Sequence, residues 1–426
     1  MTSSADQFVS SVPKSEAEFR RARTSLPGGD TRHVQFYAPF PLALDRGEGP
    51  FLWDVDGHRY IDLIYNYTSL VHGNAYPPVV EAATKAVSRG SAWPAPNESQ
   101  IELGELLVTR LPSVDLVRFV NSGTEAGMLA AQLARIATGR SLIMKSRVGY
   151  HGFYDDLLAG RYSDRPDDPF RNRPAVTAEF GNATDFERAF SEHGSDLAAV
   201  FLEPVAGGGG VATPAPGVLA SIIDQAHRVG ALVVLDEVIT FRLSTGGAQQ
   251  LWNLKPDITM MGKIIGGGFP IGAIGGSSDL MELFSPLCGP PAAPHSGTFN
   301  GNPVSTAAGV ATLRDLQADD IGRIDALMSR LTQGLTSAAK EVGLPFSIRT
   351  QGSLGNIFLM ETPPEPSYAP RPDGAAMDEF HRAALRAGVY LSPRGMICTA
   401  TCLTEEIVDE AIGRLEKAMS ETLRTL

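Results

Sequence analysis

The sequence predicts an α/β protein: a large domain with a mainly parallel sheet covered by helices, and a smaller α+β domain formed by the N- and C-terminal segments. Three observations predict it. From about Pro77 onward, helical stretches such as PVVEAATKAVSRG and QIELGELLVTRL alternate with short apolar runs. The clearest runs are LVRFV, SLIMKS, LAAVFLEP, ALVVLDEV, ITMMG and IGAIGG. They are apolar almost throughout, as strands buried on both faces are, and their alternation with helices is the pattern of parallel crossover units. The chain of 426 residues is also long enough for two cores. The expected division is an N-terminal segment at 1–70 that joins the small domain, a large domain at 71–305, and a C-terminal small domain at 306–426.

Taken in order, residues 15–25 read as a charged amphipathic helix, closed by the turn PGG at Pro27 to Gly29. FLWDVDGHRYIDL alternates around an Asp-Gly step and predicts a hairpin. The large domain is expected to end near Asn300, where NPVSTAAGVATLRDLQ opens a long helix. METPPEPSYAPRPDGAAMDEF is rich in proline and predicts a surface loop. No internal repeat is evident.

Composition narrows the function. Hydrophobic residues make up 43% and charged residues 20%, as in ordinary globular proteins. A net charge of -12 argues against general nucleic-acid or anionic-membrane binding, which need basic faces. No apolar run reaches the length of a membrane span, and the first residues lack a basic segment followed by an apolar one, so no signal peptide is expected. The three cysteines, Cys288, Cys398 and Cys402, form no C-x-x-C pair, so neither a metal site nor a disulfide framework is expected and a cytoplasmic setting is.

In open parallel sheets, ligands sit beyond the carboxyl ends of the strands. Four strand ends deliver polar groups there: Asn121, Ser122, Gly123 and Thr124 after LVRFV; Glu203 after LAAVFL; Asp236 and Glu237 after LVVL; and Lys263 after ITMMG. Ser122, Gly123 and Thr124 open a helix whose apolar positions, among them Ala126, Leu129, Ala130 and Leu133, recur at helical spacing. Free N–H groups and a positive dipole end make such a start a phosphate cradle, and an ordinary N-cap explains the same residues. No P-loop, dinucleotide fingerprint or G-x-S-x-G elbow occurs. The glycine runs at 207–210 and 266–268 read as plain turns, or as places where backbone comes close to a flat ligand.

Asp236 follows a wholly apolar strand, and a carboxylate buried there needs a partner. Arg242 is one candidate; a protonated heterocyclic nitrogen is the other. Lys263 is the single charged side chain of DITMMGKIIGGGFPIG between Asp257 and the end of the run. A lysine at a loop tip is the plain explanation. An amine that burial strips of proton affinity, and so makes nucleophilic, is the functional one. Phosphate cradle, strand-end acid and sheltered amine together describe a receptor for pyridoxal phosphate.

Here the chain resembles the class III, fold-type-I pyridoxal-phosphate aminotransferases, within the group of glutamate-1-semialdehyde aminomutase and β-phenylalanine aminotransferase. The motifs FVNSGTEA, GYHGFYD, FLEPV, VVLDEVIT, KPDITMMGKIIGGGFPIGAIGG and HSGTFNGNPVSTAAG stand in the family's order. The resemblance spans about residues 15 to 420. It implies a phosphate loop at Ser122, Gly123 and Thr124, Tyr150 stacked on one face of the coenzyme ring with His151 beside it, and Val238 on the other face. It implies Asp236 at the ring nitrogen, Glu203 near the ring hydroxyl, and Lys263 as both the amine that condenses with the coenzyme and the proton shuttle. Thr298 of GTFNGNP would reach the phosphate of a second subunit, which makes the expected state a homodimer.

For the substrate, TRHVQFYAPFP resembles a carboxylate-binding segment and implies Arg32; VYLSPRGMICTATCL implies Arg394; and YNYTSLVHGN offers Tyr67 to the pocket. The expected activity is transfer of an amino group from an amino acid, a β-amino acid by this resemblance, to a keto acid such as 2-oxoglutarate or pyruvate. The alternatives are an aminomutase of the glutamate-1-semialdehyde type, an amino acid epimerase, and a non-catalytic relative that only binds the coenzyme.

Overall fold

The computed structural model describes residues 4–160, 175–367 and 371–425. The chain divides into two units. The larger comprises Pro77–Ile321 with Glu365–Ala369, and the smaller Met1–Tyr76, Gly322–Pro364 and Pro370–Leu426. The division therefore falls after Tyr76 and after Ile321, rather than at 70 and 305. The helix Pro303–Asp315 goes with the large unit. Its reason is packing: it is buried along Val304, Ala308, Gly309 and Leu313 among elements of that unit.

The large unit is built on a seven-stranded sheet. From edge to edge its strands are Leu116–Val120, Gly272–Gly276, Ile258–Gly262, Leu232–Asp236, Leu197–Leu202, Leu142–Ser146 and Ala175–Ala178. All neighbours are parallel except at Gly272–Gly276, which runs antiparallel to both of its neighbours. Leu197–Leu202 and Ile258–Gly262 are buried at every position, which is why they read as continuous apolar runs. Two cores lie against the sheet. One gathers Ala126, Leu129, Ala130 and Leu133 of the helix Gly123–Thr138 with Phe201, Val234 and Met260. The other gathers Phe186, Phe190, Ile222 and Ile223 with Val200, Val233 and Leu235. Alternate residues of one strand thus enter opposite cores. The edge strand Ala175–Ala178 was not foreseen from its short, mixed sequence.

In the small unit the hairpin forms as read, Phe51–Asp54 against Arg59–Asp62, with Leu44–Glu48 on its other side. The helix read at 15–25 spans Pro13–Ala22, after a first helix Ser4–Ser11. A three-stranded antiparallel sheet joins Ser347–Gln351, Leu354–Phe358 and Met396–Cys398. The Pro-rich stretch lies partly outside the described residues. Its last part is not loop: helix begins at Gly374 and runs to Arg386, burying Met377 and Phe380. No helix among the described residues is long and apolar enough to cross a membrane.

Candidate active site

At the carboxyl edge of the large sheet, Ser122 caps the helix Gly123–Thr138 and accepts the Glu125 N–H through its Oγ at 3.1 Å. Glu125 in turn accepts from the Asn121 N–H at 2.7 Å and from the Asn121 amide at 3.0 Å, a capping box displaced by one residue. Ser122 therefore does serve as an N-cap. The cap takes only the third N–H of the helix, and helix geometry leaves those of Gly123 and Thr124 without an intrahelical partner. The cap and the anion cradle are compatible. Gly272 lets this turn sit where it does: a Cβ there would lie 2.1 Å from Ser122 O.

Asp236 ends its strand, 4% exposed. Its Oδ1 accepts the Val238 N–H at 3.0 Å and its Oδ2 lies 2.9 Å from His151 Nδ1. The anticipated alternative partner, Arg242, is not bonded to it. Burial holds the His151 pKa below its ordinary value, against the pull of Asp236, so the ring is neutral and Nδ1–H donates. His151 Nε2 is buried with no hydrogen-bond partner. The sequence placed His151 beside Tyr150 and gave no hint of this bond, because the two residues stand 85 positions apart. Glu237 turns the other way. It accepts from the Thr240 hydroxyl and from the N–H groups of Ala248 and Gln249, so the second acid of the pair is structural.

Glu203 follows the strand Leu197–Leu202 and accepts the Tyr150 N–H at 2.9 Å and the Gly207 N–H at 3.4 Å. Burial, with Asp236 adding to it, pushes its carboxyl up to about 8. Tyr150 is 43% exposed. Val238 lies over the helix start, with its Cγ2 3.3 Å from where a Gly123 Cβ would be, and close to Gly262 as well. Thr124 Oγ1 accepts the Phe153 N–H at 3.1 Å. Lys263 follows Gly262 directly and is half-buried. Its φ of 50° is left-handed, an uncommon backbone for lysine.

Ser122, Gly123, Thr124, Tyr150, His151, Glu203, Asp236, Val238 and Lys263 are thus linked through contacts at one sheet edge. Two N–H groups at a positive helix end suit a phosphate. A buried acid held by a neutral histidine suits a protonated ring nitrogen. An amine at the adjacent strand end suits an aldehyde. These residues fit pyridoxal phosphate. Within the glycine run 266–268, Gly267 is held close to the helix Pro303–Asp315: a Cβ there would meet Thr312 and Ala308. Thr298 is exposed on a turn. That turn is tied to the strand edge by Arg118 Nε to His295 Nδ1 at 3.0 Å and Asn121 Nδ2 to Asn300 Oδ1 at 2.9 Å.

The small unit gathers the three expected substrate residues. Tyr67 Oη donates to Val34 O at 2.9 Å and lies 3.1 Å from Ser392 Oγ, which accepts the Arg394 N–H at 3.3 Å. The Arg32 guanidinium carbon is 5.9 Å from the Tyr67 ring centre. Burial raises the Tyr67 pKa, opposed by Ser392 and by the charges of Arg32 and Arg394. Tyr67 sits in an unusual backbone. Tyr65, Asn66, Tyr67 and Thr68 have φ of 45°, 50°, 53° and 73°, a left-handed turn without a glycine. Such residues cost about 1–2 kcal/mol each, so the turn must be held. Asp62 holds it, accepting the N–H groups of Ile64 at 2.9 Å and Tyr65 at 2.8 Å. No turn signal in the sequence foretells it.

The profile of the family described as Aminotransferase class-III matches residues 34–419. The glutamate-1-semialdehyde 2,1-aminomutase of Thermomicrobium roseum is 39% identical over 422 residues, covering 95% of this chain and 97% of its own. Among solved structures, an ω-transaminase from Sphaerobacter thermophilus superposes with a TM-score of 0.91 at 35% identity, over 96% of this chain and 98% of its own. A β-phenylalanine aminotransferase from Variovorax paradoxus gives 0.89 at 33%, over 97% and 95%.

Proposed function

The chain belongs to the class-III aminotransferases, and from that premise we propose that it moves an amino group on a carboxylate-bearing amino acid, the transfer closing within one molecule as in an aminomutase. The observation that carries the chemistry is the sheet edge itself: Lys263 and Asp236 at the ends of adjacent parallel strands, with His151 bonded to the Asp236 carboxyl. What favours the intramolecular course is the 39% identity to a glutamate-1-semialdehyde 2,1-aminomutase over nearly the whole chain. The intermolecular reaction expected from the motifs has less support from the relatives.

Pyridoxal phosphate, when bound, supplies an aldehyde for the substrate amine and a ring that takes up negative charge. The N–H groups of Gly123 and Thr124 would hold its phosphate. Asp236 would hold the ring nitrogen in its protonated form, and Val238 and Tyr150 would pack against the ring. Lys263 would remove the proton from the amine-bearing carbon and deliver a proton to the carbon that receives the amine, so the group changes place with no net change in hydrogen. Arg32 and Arg394 bind the substrate carboxylate.

A second reading, transfer from a β-amino acid to a separate keto acid such as 2-oxoglutarate or pyruvate, is favoured by the Arg32–Tyr67–Arg394 cluster and by likeness to an ω-transaminase and a β-phenylalanine aminotransferase. In either case we take the working unit to be a homodimer, with Thr298 serving the partner's phosphate. The deciding experiment is turnover with and without added keto acid. An aminomutase converts glutamate-1-semialdehyde without one; an aminotransferase stops after a single equivalent of donor. Activity that needs a keto acid and a β-amino acid would replace the first reading by the second.

A further inference from the structure

Arg32 is held in a manner that leaves its charge unspent. Its Nη1 donates to Asn66 Oδ1 at 2.7 Å. With the Gln35 amide turned to satisfy its own bonding, the Gln35 oxygen accepts from Arg32 Nη2 at 3.0 Å and Nη1 at 3.3 Å. Both partners are neutral amides. Among the described residues no carboxylate lies within ion-pair distance of this guanidinium; Asp30, the nearest acid in sequence, accepts backbone N–H groups of Thr31 and Arg32 instead. An exposed arginine usually finds a carboxylate or lies free in water. One fixed by two amide oxygens keeps a full positive charge in a defined orientation, which is what an anion receptor requires.

Asn66 supplies this from the middle of the left-handed turn, at φ 50°. Asparagine, like aspartate, tolerates that backbone better than most other residues with a side chain. The bond it makes to Arg32 is exposed, so it adds little to stability. Strain kept for a bond of little structural worth points to function. Asp62 fixes the turn from below, and Tyr67, the next residue, is fixed by Val34 and Ser392. The side chain at 66 is therefore set by backbone that cannot easily relax.

We infer that Asn66, with Gln35, is a positioning residue for substrate specificity: its neutral amide orients Arg32 toward the substrate carboxylate without neutralising it. This rests on the reading of Arg32 as a carboxylate binder, which both proposed reactions share. The inference explains the residue type. Aspartate would fit the same space and the same backbone, yet it would pair with Arg32 and shut the receptor.

The test compares Asn66→Asp, Asn66→Ala and Arg32→Ala in the holoenzyme. The ligands are 3-phenylpropionate and pentanoate, each against its neutral amide, with affinities from calorimetry and melting temperatures alongside. The native protein is expected to prefer the acids by about tenfold, the scale of one charge-assisted contact. Arg32→Ala and Asn66→Asp should both abolish the preference, and Asn66→Ala should reduce it, with folding intact. With a reacting donor, KM rises while kcat holds. Absence of an acid preference in the native protein, or its survival in Arg32→Ala, removes the Arg32 reading and this inference with it. Loss in Arg32→Ala with the preference kept in Asn66→Asp overturns the role of Asn66 alone.

Discussion

His151 Nδ1 donates to Asp236 Oδ2 across 2.9 Å in a site where both side chains are buried. Burial holds the His151 pKa below its ordinary value, so the ring that donates to the Asp236 carboxyl is an uncharged one. His151→Ala leaves a buried carboxylate oxygen short of its donor. We expect a loss of about 1–3 kcal/mol, or on the order of ten- to a hundredfold in kcat. His151→Asn keeps an N–H donor and should recover much of it. Equal damage from both substitutions would show that ring volume, not the hydrogen bond, is what matters.

Lys263 is expected to carry the coenzyme. Borohydride reduction of the purified protein, followed by digestion and mass spectrometry, should place the coenzyme on the peptide containing Lys263. Lys263→Ala should show neither that adduct nor turnover. An adduct on any other lysine would undo the assignment of the whole sheet edge.

Glu203 gives a pH signature. Its carboxyl, pushed up to about 8 by burial and by Asp236, keeps its proton in the folded protein at pH values where the unfolded chain has lost it. The unfolded state then binds fewer protons, so stability falls as pH rises. This contribution is complete below about pH 4.5 and gone by about pH 8, on the order of a few kcal/mol in all. Glu203→Gln should flatten the dependence and melt higher than the native protein near pH 8. Parallel melting curves for the two would show that Glu203 does not titrate in this range.

Gly309 tests how Lys263 is held. A methyl group at this position would sit 2.0 Å from Ile265 O, in the short turn that begins at Lys263. Gly309→Ala should cost about 3 kcal/mol through overpacking and weaken coenzyme binding by displacing that turn. Gly104→Ala, which meets no atom within 4 Å, is the control and should be neutral or slightly stabilising. An unchanged melting temperature in Gly309→Ala would mean the helix Pro303–Asp315 gives way freely.

Local patterns carried much of this. ITMMG is a strand with the bounds read for it, Ile258–Gly262, because five buried apolar residues in a row admit few other states. Ser122 and Glu125 announce their helix through capping chemistry that acts over three residues. The unit boundary at Ile321 differs from the expected 305 because the helix Pro303–Asp315 is buried at most of its positions, polar ones included, and sequence does not say which neighbours bury it. GAAMDEF was masked by the prolines before it and folds as helix because Met377 and Phe380 find a core.

By itself the sequence determined the family, the parallel sheet, and the strand ends that bear Asp236, Glu203 and Lys263. Each of these is written in periodicity or in motifs that act over short spans of chain. The tertiary structure alone decided that His151 serves Asp236, that Glu237 turns away into a structural turn, and that Asn66 reaches Arg32 from a left-handed backbone. Those pairings join residues 12 to 85 positions apart. Partners so distant meet only through the packing of the elements between them, and no local pattern of side chains encodes that meeting.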